Sequence, residues 1–79
     1  MKAVSYSQDA LNDLRRHRNA ASRIMDKIER YAASGAGDVT GLVGSGYKRI
    51  RIGDFRAIFE ETPMEIIVLR IGPRGAIYN

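Results

Sequence analysis

Residues 47–61 read YKRIRIGDFRAIFEE, with four cations in the first ten positions followed by two acids at the end. Apolar side chains alternate with the cations, the period of two that marks a strand. Gly53-Asp54 breaks the alternation, and glycine at the first of two turn positions suits a type II′ hairpin. A two-residue turn fixes the cross-strand register. Ile52 is then expected opposite Phe55, Arg51 opposite Arg56, Ile50 opposite Ala57, Arg49 opposite Ile58 and Lys48 opposite Phe59. Ile50, Ile52, Phe55, Ala57 and Phe59 share one side of the hairpin, which is apolar and must be covered. Tyr47, Arg49, Arg51, Arg56, Ile58 and Glu60 share the other. Directly opposed like charges destabilise a sheet, whereas a favourable cross-strand pair contributes roughly 0.2–1 kcal/mol. Either an external anion is the missing partner of these guanidiniums, or Glu60 and other acids neutralise them in a surface salt-bridge network.

Downstream, TPM is a turn, and EIIVLRI is a nearly continuous apolar run of the kind a central strand covered on both faces shows. GPRG breaks that run, and AIYN closes the chain, at most as a short edge strand. Upstream, residues 34–46 hold five glycines and read as a loop. Within it GLVGSGYK approaches the phosphate-binding P-loop pattern, but Tyr47 stands where the lysine must be. A strand follows where a helix N-terminus is required, so that anion site cannot form. Before the loop, Val4 and Tyr6 alternate with small residues in a short opening strand. Ser7 is placed to cap a first helix with Asp9 in its first turn. Asn19 is expected to cap a second, in which Ala21, Ile24, Ile28 and Tyr31 recur at helical spacing and which Gly35 ends. The expected fold class is α+β, in the order β-α-α-β-β-β, with a helical hairpin on one face of a small antiparallel sheet.

A chain of 79 residues is one domain, spanning 1–79. Thirteen Lys+Arg against nine Asp+Glu leave a net charge of +4, and the sequence pI is about 9.9. Ten of the thirteen cations are arginine, whose planar fork matches phosphate and carboxylate. An acidic or polyanionic partner follows. No cysteine is present, which excludes disulfides and thiolate chemistry. The single histidine, without metal-ligand spacing around it, leaves no cofactor or metal to expect. No run approaches signal-peptide or membrane-span length, so a cytoplasmic protein without membrane contact is expected. His17, in LRRHRN, stands at a helix end as a capping or solvent-facing residue. The stretch RRHR is either a solvated helix end or a secondary RNA-contacting patch. Arg74 and Tyr78 can join the arginine face, making a phosphate clamp with one stacking ring.

YKRIRIGDFRAIFE followed by IIVLRIGPRGAIY resembles the RelE/ParE superfamily of type II toxin–antitoxin toxins. The opening VSYSQDALNDLRR and the segment GLVGSGYKRIRIGDFR fit the same pattern, so the resemblance covers nearly the whole chain. It implies a growth-inhibiting toxin neutralised by a cognate acidic antitoxin. RelE-like members cut mRNA in the ribosomal decoding site, whereas ParE-like members poison DNA gyrase and need not cut RNA. The arginine before GAIY and the tyrosine that ends it match the RelE-like tail. The resemblance therefore assigns catalytic roles to Arg49, Arg51, Arg56, Arg74 and Tyr78. The strand cations hold the scissile phosphate, Arg74 stabilises the transition state and Tyr78 handles the 2′-hydroxyl proton. RelE-like enzymes often carry lysines on the middle strand. Arginine in their place clamps well but is a poor general base, which leaves the base role to Tyr78.

Overall fold

The computed structural model describes residues 2–42, 44–73 and 75. Its elements are β1 (Ala3–Tyr6), α1 (Gln8–Arg16), α2 (Arg18–Ser34), β2 (Asp38–Gly41), β3 (Tyr47–Ile52), β4 (Phe55–Glu61) and β5 (Glu65–Pro73). The strands form one five-stranded sheet in the order β1-β5-β4-β3-β2. The two helices pack on one face of it, so the expected α+β class is observed and the expected β-α-α-β-β-β order is kept with one strand added, β2.

Local chemistry sets the helix ends. The Ser7 hydroxyl accepts the Ala10 N–H at 3.0 Å and donates to the Leu69 carbonyl at 2.8 Å, capping α1 and tying it to β5 at once. Gly35 closes α2 with φ +79°, donating its N–H to the Tyr31 carbonyl. The start of α2 differs from expectation. His17 alone separates the helices, serving as C-cap of α1 and N-cap of α2, and makes no side-chain cap bond. Asn19 therefore lies inside the first turn of α2, because the chain re-enters helix one residue after leaving it.

Ala10 and Leu14 from α1 and Ala20, Ile24, Ile28 and Ala32 from α2 form the helical side of the core. Ile50, Ile52, Ala57, Phe59, Ile66, Val68 and Ile71 form the sheet side. The observed β3–β4 register matches the expected one at all five predicted pairs and adds Tyr47 opposite Glu60. Gly53 has φ +59° and Asp54 a negative φ, which fits a type II′ turn and excludes type I′.

Three features of the sheet differ from the sequence reading. β2 forms inside the expected glycine loop, pairing antiparallel with β3. Val39 packs against the core, and Gly37 permits close passage, since a Cβ there would lie 3.2 Å from Ile50 Cδ1. β1 pairs parallel to β5, so the sheet is mixed, and the long connection a parallel pair needs runs through both helices and strands β2, β3 and β4. On its helical face β5 buries Ile66, Val68 and Ile71, while Ile67 and Leu69 on its other side are half-buried. Strict alternation from Ile66 and Val68 would drive Arg70 into the core. A register shift opposite Ile58/Phe59 absorbs Leu69 and brings Ile71 inward instead. The expected closing strand, residues 76–79, lies outside the described residues.

Asp13 completes this edge. β1 pairs with β5 only as far as Val68. Beyond that point the Asp13 carboxylate, on α1 and 4 % exposed, accepts the Ile71 N–H at 2.8 Å. It also accepts two bonds from the Arg70 guanidinium, at 3.0 and 3.4 Å. Burial alone would raise the Asp13 carboxyl. The bonds from Arg70 and Ile71 and the charges of Arg70 and Arg16 outweigh burial and hold it below the usual range.

Candidate nucleic-acid interface

The side of the sheet away from the helices is organised in rows across neighbouring strands. One row runs Asp38, Arg51, Arg56, Gly72, and the next runs Thr40, Arg49, Ile58, Arg70. Arg49, Arg51 and Arg56 thus share the open face, as the hairpin register requires. Arg70, at the end of the second row, is engaged by Asp13 of α1. Arg74 and Tyr78, the other two residues assigned roles from the sequence, lie outside the described residues.

Arg51 and Arg56 are directly opposed, yet their environments differ. Arg51 is exposed. Arg56 is only 6 % exposed, and its Nη1 donates to the carbonyls of Phe55 at 3.2 Å and Gly53 at 3.5 Å. Gly72, its partner on β5, puts no side chain beside it. Among the described residues only neutral carbonyls meet this nearly buried guanidinium, and desolvating a charge costs several kcal/mol unless an opposite charge meets it. Glu60 shares the open face across from Tyr47 but pairs with no cation among the described residues. The unforeseen strand β2 does bring an acid. Asp38 stands across from Arg51 on its other flank, though beyond ion-pair distance. The open face is therefore less one-sided in charge than the hairpin alone implied.

A second polar cluster, unseen in the sequence, sits at the opposite end of the hairpin. Glu61 accepts hydrogen bonds from Lys2, from Lys48 Nζ at 2.8 Å and from the Tyr31 hydroxyl at 2.8 Å. The bonds from Lys2 and Lys48 bring the Glu61 carboxyl down to about 2. Lys48 is raised, first by its bond to Glu61. Lys48, on the arginine strand itself and opposite Phe59 as expected, is consumed by this clasp. Among the described residues no group of three or more His, Asp or Glu stands close enough to hold a metal ion.

This arrangement can bind phosphate oxygens with fixed cations on a rigid two-strand platform. A family model described as the ParE toxin of the type II toxin–antitoxin system parDE matches residues 4–78. The fold is similar to that of RelE in the archaeal RelE–RelB complex from Pyrococcus horikoshii OT3, with TM-score 0.77, 22% identity and coverage of 95% and 97% of the two chains. It is also similar to a chain of the RelB–RelE antitoxin–toxin complex from Methanococcus jannaschii, with TM-score 0.72, 28% identity and coverage of 92% and 93%. YafQ from E. coli strain BL21(DE3) matches over the full length of both chains at TM-score 0.69 and 19% identity. No curated protein matches significantly. Sequence pattern, fold and family match agree, and the chain belongs to the ParE toxins of type II toxin–antitoxin systems, within the RelE/ParE superfamily.

Proposed function

We propose that this toxin is a metal-independent, ribosome-dependent endoribonuclease that cuts mRNA in the cytoplasm and is neutralised by a cognate acidic antitoxin. The observation that carries this reading is Arg56, a nearly buried guanidinium beside Arg51 with no carboxylate in ion-pair distance among the described residues. A phosphate on the open face supplies the missing negative charge. The 2′-hydroxyl of one nucleotide attacks its adjacent phosphate, forming the O2′–P bond of a 2′,3′-cyclic phosphate and breaking the P–O5′ bond, and the departing 5′-oxygen takes a proton from water. Negative charge builds on the non-bridging oxygens during that step, and fixed donors there contribute ~10²–10³ each in rate. Arg49, Arg51 and Arg56 hold the phosphate, Arg74 braces the transition state and Tyr78 takes the 2′-hydroxyl proton. An ordinary tyrosine pKa of about 10 must be lowered for that task, and neighbouring guanidiniums act in that direction. The antitoxin partner is supported by the RelE structures seen together with RelB.

The match to a ParE model supports a second reading, in which the same surface binds DNA gyrase and no RNA is cut. Induced expression followed by mapping of RNA 5′ ends separates the two. The nuclease reading expects new 5′ ends within translated messages and their loss in Tyr78→Phe and Arg74→Gln, with single-turnover cleavage slowed by ~10²-fold or more. Tyr78→Phe with undiminished toxicity, together with no cut messages, transfers the function to gyrase.

A further inference from the structure

A groove of about 510 Å³ opens where α1 meets α2, lined by Arg15, Arg16, His17, Arg18, Arg23 and Phe55, with no acid among its lining residues. Among the described residues none of its four guanidiniums has a carboxylate in ion-pair distance. The helix ends account for only half of this cluster. Arg15 and Arg16 fall in the last turn of α1, where cations complement the negative end of the dipole. Arg18 opens α2, Arg23 lies on its second turn, and the first turn of α2 contains no acid and no side-chain cap. There the dipole disfavours a cation, so Arg18, the first residue inside α2, stands where stability alone would select Asp or Glu. Its presence calls for an anion in the groove.

Two aromatic rings meet at the groove wall. His17 and Phe55 stand edge to face, with centroids 5.1 Å apart at 73°. Phe55 adjoins Arg56 in the chain and closes the hairpin opposite Ile52, so groove and open face meet at the same end of the β3–β4 hairpin. Arginine forks bind phosphate oxygens in pairs, and aromatic rings beside such forks suit the unstacked bases of single-stranded RNA. An acidic peptide would use the forks but has no need of the rings.

We infer that the α1–α2 junction groove is a second RNA-binding site, which holds the phosphodiester backbone of the strand flanking the segment bound on the open face. The inference rests on the RNA-directed reading above. It assigns Arg18 and Arg23 to affinity and register and leaves bond cleavage to the open face.

The test uses the purified full chain, a fully 2′-O-methylated oligoribonucleotide as an uncleavable probe, and programmed ribosomes for cleavage. Arg18→Gln/Arg23→Gln is expected to weaken oligonucleotide binding by ~10-fold or more. The slope of log affinity against log salt should shrink by about one to two, since each lost phosphate contact in a single strand contributes roughly 0.7. Single-turnover cleavage at saturating ribosomes should stay within ~2-fold of the parent, because the groove touches no reacting atom. The melting temperature should hold or rise, as a cation leaves the positive end of α2; a purely structural arginine would lower it. Arg18→Lys should restore the salt slope but only part of the affinity, since lysine keeps the charge and loses the fork. Unchanged affinity and slope in the double variant, beside intact cleavage by the parent, overturn the groove and leave the nuclease reading standing. Weakened binding of an acidic antitoxin peptide with unchanged RNA binding assigns the groove to a protein partner instead. A parent chain that neither binds the probe nor cuts any message removes both readings.

Discussion

Arg56 and Glu61 lie on the same strand, and both are charged groups largely withdrawn from water, but among the described residues only Glu61 has opposite charges in contact. Lys2 and Lys48 meet Glu61, whereas neutral carbonyls meet Arg56. A group whose charge is left uncompensated in the free protein is a stability cost, so Arg56→Met is expected to stabilise the fold by about 1 kcal/mol. Urea unfolding of the two proteins checks the sign, and a loss of toxicity in the stabilised variant separates function from folding. Glu61 behaves in the opposite way. Its folded pKa of about 2 lies below the ordinary 4.5, so its contribution is complete above pH 4.5 and fades as pH falls toward 2. Lys2 and Lys48 are partly exposed, and solvent screening trims the contribution to about 2 kcal/mol. Glu61→Gln should therefore lose roughly that much stability at neutral pH and unfold with a much flatter acid dependence below pH 4.5. A variant that keeps the parent's steep acid limb would place the acid sensitivity elsewhere, with Asp13 next in line.

The hairpin was legible in the sequence because one dipeptide determines it. Gly53 takes φ +59°, and no neighbouring atom lies within 4 Å of where a Cβ would stand, so its requirement is conformational and not steric. Gly53→Ala should cost about 1–2 kcal/mol through the left-handed backbone alone, read from denaturant midpoints at unchanged m. If the loss is below a few tenths, the turn has reorganised, and the pairing of Arg51 with Arg56 goes with it. Other elements are harder to read. β2 has one apolar residue, Val39, between polar and glycine neighbours, too short for a period of two to emerge. The start of α2 is masked because Asn19 has strong capping chemistry, whereas His17 starts the helix with no side-chain bond at all. The bulge in β5 does leave a trace in the sequence. Ile66, Val68 and Arg70 in alternation point a charge inward, and only an extra residue at Leu69 removes that conflict. Asp13 and Glu61 are invisible for another reason, since Arg70 lies 57 residues from Asp13, and the partners of Glu61 lie 13, 30 and 59 residues away in the chain.

At the scale of the whole molecule, eight of the described arginines are displayed on two surfaces that meet at one end of the hairpin. A domain of this size draws only ~3–5 kcal/mol from its core, so Arg51, Arg56 and the groove arginines, which meet no carboxylate in ion-pair distance among the described residues, are a substantial load for it. An acidic antitoxin segment that covers the open face would relieve part of that load and stabilise the toxin by mass action, by ~4 kcal/mol at a thousandfold excess over Kd. With a net charge of +4, the toxin also attracts such a partner before contact. Stopped-flow association with the antitoxin should therefore slow steeply as salt rises, while dissociation changes little, because screening at ~0.1 M salt reaches about 10 Å and acts on the approach more than on the docked interface. Arg51→Gln removes an exposed open-face cation without touching the core, so it should lower the association rate and flatten its salt dependence. Arg18→Gln, which alters only the junction groove, should leave antitoxin dissociation as it is and shift association only by the loss of one net charge. Association that ignores salt, or an Arg51 variant that differs only in dissociation, would place the antitoxin on an apolar surface and leave the open face to RNA alone.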